Sequence, residues 1–209
     1  RAAMSRFIQK IKRSSLTTGV ALLCAGLGNR IKSNEPRSLI KIGGSCLLNW
    51  QLDALNSMFV KPNILVGVGV ESQKIMKKFS GQVSFVENQL YETTGSFETL
   101  RLLVNASTDD SILLVHGDLY FNSDILEAAD FSKSFVVLDT ANSIGDREVG
   151  ITMVNDKVSI LSYGLKDKWA QMAFFTGKEL AMLRQLCCKA NQESKSLLTF
   201  EIINSIINK

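Results

Sequence analysis

Residues 23–30 read Leu23-Cys24-Ala25-Gly26-Leu27-Gly28-Asn29-Arg30. Glycines at alternate positions let a backbone turn sharply and bring its N–H groups close to a ligand, with no Cβ in the way. Successive N–H groups facing one way form a nest for anions, and Arg30 adds a planar cation suited to phosphate oxygens. A second cation follows in Pro36-Arg37-Ser38-Leu39, behind a proline that fixes the chain direction. Residues 18–39 therefore have the composition of a grip on nucleotide phosphates, although a tight turn accounts for the two glycines by themselves. A dinucleotide fingerprint needs a third glycine where Ile31 stands, and a P-loop needs a Gly-Lys-Ser/Thr ending that is absent.

A carboxylate stands in a comparable place later in the chain. Residues 111–121, SILLVHGDLYF, end a buried strand with Gly117-Asp118 and open into a loop. In open α/β sheets ligands sit at the carboxyl ends of the strands, which places Asp118 for chemistry. A carboxylate there suits Mg²⁺, which takes oxygen ligands together with nucleotide phosphates; capping a turn is the plainer job for a Gly-Asp pair. His116, the single histidine, adjoins this loop and is given no role.

The elements that must position these groups alternate short apolar runs with helix-periodic segments, the pattern of an α/β sheet with crossover helices. Strands are predicted at 20–24, 63–69, 83–87, 111–115, 135–138 and 149–154. Helices are predicted at 47–58, 71–79 and 97–104, from Ser123, and over most of the chain from Gly177, with Ser96 available to cap the third of them. The fold class is a doubly wound, mixed and mostly parallel sheet flanked by helices.

With the strand, the glycines, Arg30 and Pro36-Arg37, the early stretch resembles the nucleotidyltransferase family that activates sugar phosphates and related phosphate esters, whose pattern is roughly LAAGxGxR followed by Pro-Lys. Cys24 stands for a small alanine and Arg37 for the family lysine. The resemblance is carried by residues 18–121 and thins out afterwards. It implies transfer of a nucleoside monophosphate from a nucleoside triphosphate to a phosphorylated small molecule, with release of pyrophosphate. It implies nucleotide contacts from Leu23, Ala25, Gly26, Leu27, Gly28, Asn29 and Arg30, catalytic work by Arg30, Arg37 and Asp118, and Mg²⁺ on Asp118. Residues 86–100, strand then loop then helix, are similar to the phosphocholine cytidylyltransferase branch, which favours CTP and lays Gly95 and Ser96 against the base. The resemblance also implies a second metal carboxylate late in the chain, for which Asp167, Glu201 or a residue beyond Lys209 stand as candidates. Residues 147–151 loosely resemble the family's acceptor-side strand, and Trp169 with Tyr163 forms a candidate cage for a quaternary ammonium.

Composition bounds these readings. A chain of 209 residues fits one domain with a substantial core, with residues 1–16 expected as a basic leader or linker and 17–209 as the domain, which the unlocated carboxylate leaves open to truncation at its C-terminal end. The net charge is +4, and Arg1, Arg6, Lys10, Lys12, Arg13, Arg30 and Lys32 all precede the first acid, Glu35, a balance that suits a phosphate-bearing partner. The four cysteines show no metal-ligand spacing, so reduced thiols and a cytoplasmic setting are expected, with no nucleic-acid or membrane partner. No stretch approaches the ~20 apolar residues of a membrane span. Two other readings stay open: a catalytically weakened nucleotide-binding regulatory module, and a dinucleotide-dependent oxidoreductase with Asp53 as its ribose acid.

Overall fold

The computed structural model describes residues 17–26 and 35–209. Leu27, Gly28, Asn29 and Arg30 of the glycine loop, and the 1–16 leader, lie outside the described residues.

Strand β1 (Thr18–Cys24) is buried from Gly19 onwards because it runs through the middle of the parallel half of the sheet. The two-residue strands β2 (Lys41–Ile42) and β3 (Ser45–Cys46) form a separate hairpin. Strand β4 (Asn63–Val68) lies parallel on one side of β1 and carries β5 (Ser84–Glu87) beyond it. Strand β6 (Ser111–His116) lies parallel on the other side of β1. Strands covered on both faces need apolar side chains at consecutive positions, which is why VALLC, ILVGV and SILLV read as unbroken runs.

Alternate residues of β1 feed two cores. Val20, Leu22 and Cys24 pack with Leu48, Leu52 and Leu55 of helix α1 (Leu47–Met58) and Ile75 of helix α2 (Ser72–Lys78). Ala21 and Leu23 pack with Leu100, Leu103 and Val104 of helix α3 (Ser96–Ala106). The same second core takes in Leu183 of helix α4 (Gly177–Cys188) and Ile202 and Ile206 of helix α5 (Thr199–Ile207).

Beyond β6 the sheet turns antiparallel through β7 (Phe135–Asp139), β8 (Val149–Val154), β9 (Lys157–Tyr163) and β10 (Asp167–Thr176). The order across the sheet is β5-β4-β1-β6-β10-β8-β9, with β7 also paired to β10. Strand β10 serves two neighbours: Met172 to Thr176 pair with β6, whereas Asp167 and Lys168 pair with β8. Its register with β7 shifts between Trp169 and Ala173, where Gln171 adopts a left-handed φ of 59°, the mark of a bulge that bends a strand. Asn155 and Asp156, both at positive φ, join β8 to β9 as a tight hairpin. On the outer side of β9 the Asn204 carboxamide grips Leu161, accepting from its N–H at 2.8 Å and donating to its carbonyl at 2.7 Å.

The elements expected over 47–58 and 149–154 match the observed ones, and most others agree within a residue or two. Strands β2, β3, β9 and β10 were not expected. The helix expected from Ser123 is not formed. Residues 123–128 make successive turns in which Ile125 N–H donates to Asn122, Glu127 to Asp124 and Ala129 to Leu126. Ser96 does not cap its own helix: its hydroxyl accepts from Thr199 N–H at 3.0 Å and so serves α5 instead.

Candidate active site

The carboxyl ends of β1 and β6 meet at one close contact. Gly117 N–H donates to Leu23 O at 2.8 Å, and a Cβ on Gly117 would collide with that same carbonyl. Only glycine allows this approach, and it sets Asp118 beside the end of β1.

Arg37 arrives from the other direction. Pro36 opens a single 3₁₀ turn over Arg37–Leu39, in which Leu39 N–H donates to Pro36 O at 2.9 Å. The turn aims the guanidinium at the β6 loop, where Nη1 donates to Asp118 Oδ2 at 2.9 Å. The two side chains are 25% and 38% exposed, so the pair faces solvent and any ligand.

Two cavities adjoin at this pair. The first, about 200 Å³, is lined by Leu23, Ala25 and Gly26 from the end of β1 and by Gly95 and Ser96 from the start of α3. The second, about 770 Å³, is lined by Tyr120, Asp139, Arg147, Glu148 and Trp169, among others. Among the described residues, Arg37 and Asp118 are the only ones common to both. Leu23, Ala25, Gly26, Arg37, Gly95, Ser96 and Asp118 thus line one cleft.

Hydrogen bonds and ring contacts fix several of the lining residues. Asn88, 2% exposed, donates to Thr94 Oγ1 and Thr99 Oγ1 at 3.1 Å each and accepts from Leu90 N–H, tying the 88–95 loop to α3. Gly95 N–H donates to Lys195 O at 2.9 Å, which seats that loop on the segment before α5. His116 Nε2 lies 2.8 Å from Thr199 Oγ1, and its ring stands edge-on to Trp169 at 5.5 Å. Loss of water around the ring outweighs the nearby Asp118 charge and holds the His116 pKa down at about 4, so the imidazole is neutral near pH 7. Burial, helped by the Asp118 charge, pushes the Cys24 thiol up to about 12.

Four expectations are corrected. Trp169 and Tyr163 form no cage: Trp169 is 2% exposed with its indole N–H donated to Met172 O, while Tyr163 packs against Phe200 and lies outside both cavity linings. Glu201 is not a cleft acid, because its Oε2 accepts from Leu198 N–H at 2.7 Å and closes the first turn of α5. Asp167 pairs with Ile151 of β8 and lines neither cavity. Asp53 sits exposed on α1 and also lines neither cavity.

Among the described residues no cluster of three or more His, Cys, Asp or Glu could enclose a metal. Asp118 is the single acid of the first cavity's described lining, and its Oδ1 has no described partner. One hard oxygen donor beside the end of β1 fits the way Mg²⁺ is usually held, by one or two carboxylates with substrate phosphates and water completing the set. No described helix is long and apolar enough to cross a membrane.

The fold has close counterparts among solved structures. The CTP:phosphocholine cytidylyltransferase from Streptococcus pneumoniae superposes with a TM-score of 0.69 at 20% identity, covering 92% of this chain and 86% of that one. The inositol-1-phosphate CTP transferase from T. maritima superposes with a TM-score of 0.74 at 13% identity, covering 93% and 82%. In sequence, the bifunctional protein GlmU of Methanocaldococcus jannaschii is 25% identical over 145 residues, 67% of this chain and 34% of that protein. The chain spans about a third of the length of the curated relatives it matches. The profile of the MobA-like NTP transferase domain matches residues 20–145, more than half of the chain, and the chain belongs to that family.

Proposed function

We propose that the chain is a Mg²⁺-dependent nucleotidyltransferase that moves a nucleoside monophosphate from a nucleoside triphosphate, CTP favoured, to a phosphorylated small molecule such as a sugar phosphate or phosphocholine, releasing pyrophosphate. The observation that carries the reading is the sharing of Arg37 and Asp118 by two adjoining cavities. A two-substrate phosphoryl transfer needs donor and acceptor on either side of one charged junction, and this arrangement supports that geometry.

In this reading the nucleotide occupies the first cavity, with Leu23, Ala25, Gly26 and the loop residues Leu27, Gly28, Asn29 and Arg30 around its phosphates, and Gly95 and Ser96 near its base. The acceptor occupies the second, its phosphate oriented by Arg37 for in-line attack on the α-phosphorus. Asp118 would hold Mg²⁺, which when bound supplies charge neutralisation at the phosphates. Backbone N–H groups and the two guanidinium groups offset the negative charge that grows in the transition state. Positioning and charge are sufficient, so no covalent nucleophile is required. The CTP preference rests on the likeness of residues 86–100 to the phosphocholine branch.

The test is pyrophosphate release from each of the four NTPs with Mg²⁺ and a panel of phosphorylated acceptors. Saturable release with CTP and one acceptor is expected. Failure with every pair, together with a CTP-induced thermal shift, replaces this reading with the regulatory module. That second reading draws on Arg37 in place of the family lysine and on Asp118 as the single described acid of the first cavity. A gain of turnover in Arg37→Lys is its signature.

A further inference from the structure

Gln51 lies in the middle of α1 and is 0% exposed. Its helix neighbours Leu48, Leu52 and Leu55 form part of the first core. A carboxamide in such a place is costly unless its groups are paired, and an aliphatic side chain would serve packing alone better. Its partners are specific. Nε2 donates to Gly117 O at 3.2 Å and to Leu119 O at 2.6 Å, the two carbonyls on either side of Asp118. Carbonyls only accept, so the NH₂ end of the amide must face them.

A second observation points to the same place. Among the described residues three buried side-chain polar atoms have no hydrogen-bond partner: Arg37 Nε, Ser38 Oγ and Gln51 Oε1. Arg37 pairs with Asp118, Ser38 follows Arg37 in the same turn, and Gln51 holds the backbone around Asp118. Unsatisfied buried groups are rare in folded proteins and each calls for a reason. Two of the three lie in the Arg37 turn, and the third belongs to the side chain that holds the Asp118 backbone.

We propose that Gln51 is a positioning residue for Asp118, a proposal that rests on the nucleotidyltransferase reading. By holding both flanking carbonyls from a rigid helix, it fixes the Asp118 peptide and keeps the carboxylate aimed at the junction of the two cavities. It acts through Asp118 and touches neither substrate. Outer partners that orient a metal-binding carboxylate typically alter metal affinity by about 10- to 100-fold when removed.

The experiment compares the parent chain with Gln51→Leu, Gln51→Met and Asp118→Ala. Three quantities are measured: the Mg²⁺ dependence of pyrophosphate release, Mn²⁺ binding by electron paramagnetic resonance with CTP but no acceptor, and the thermal midpoint. In Gln51→Leu the expected result is a roughly tenfold weaker response to Mg²⁺ and weaker Mn²⁺ binding. The KM for CTP at saturating metal should stay near that of the parent, and the fold should be retained. Gln51→Met, unbranched and of similar length, decides the matter if the leucine variant does not fold. A parent-like metal response in a folded Gln51 variant, with Asp118→Ala inactive, overturns the proposal and leaves the functional reading intact. Loss of fold in both Gln51 variants assigns the residue to stability and also overturns it. Full activity in Asp118→Ala removes the functional reading itself.

Discussion

Arg37 and Asp118 are 81 positions apart in the chain and meet at 2.9 Å where two cavities join. Both side chains are partly exposed, and an ion pair in such a setting adds only about 0–1 kcal/mol to a fold. Stability therefore does not explain the pairing. Because the contact is weak, either partner can be drawn towards a ligand at small cost, as the proposed function requires of both.

Asp118→Asn keeps the side chain's size and removes its charge. Turnover should fall by about 100-fold or more, the scale seen when a charge-stabilising group is lost. The thermal midpoint should stay near that of the parent. Chelation of divalent cations should abolish pyrophosphate release in the parent and be reversed by added Mg²⁺.

Arg37→Ala removes the cation common to both cavities. The KM for the acceptor should rise by about 10- to 100-fold, since a charge-assisted hydrogen bond is worth roughly 1.5–3 kcal/mol. The KM for the nucleotide should move less. Initial-rate kinetics with each substrate varied in turn distinguish the two.

Gly117→Ala tests the crossing of β1 and β6. The added methyl would collide with Leu23 O, which is backbone and has little room to yield. A loss of about 1–3 kcal/mol in urea unfolding is expected, the usual cost of overpacking. Activity should fall as well, because the same shift displaces Asp118.

The cysteines should differ sharply in reactivity. Cys188 is exposed, whereas Cys24, Cys46 and Cys187 are buried. Burial pushes the Cys24 and Cys187 thiols up to about 12, so at pH 8 only about one molecule in 10⁴ carries either as thiolate. A disulfide-exchange reagent should titrate one thiol quickly in the native protein and four after denaturation. Burst labelling at Cys187 near neutral pH would contradict this account.

The parallel half of the sheet was legible in the sequence because β1, β4 and β6 are covered on both faces, which leaves continuous apolar runs such as SILLV. The antiparallel half was less so. β9 is exposed at Lys157, Ile160 and Tyr163, a spacing of three that departs from a strand's period of two, and β10 carries Lys168 and Gln171 inside its run because it changes partners midway. The segment after Ser123 reads as a helix but closes successive four-residue turns instead. Of the cleft, Gly26, Arg37 and Asp118 stood out because glycine turns and charges at strand ends are local signals. Gln51 did not. A glutamine within a helical pattern looks like a surface residue until the helix docks and the 117–119 carbonyls arrive above it.

The grip of Asn204 on Leu161 has a consequence for how molecules meet one another. β9 is the last strand of its sheet, the place where a neighbour's backbone would otherwise find a free template for pairing. At Leu161 both template groups are already taken by a side chain of the same molecule. A foreign strand must first evict that amide, so the contact guards against polymerisation from this side, and its removal should surface as slow assembly in concentrated solution before any loss of catalysis.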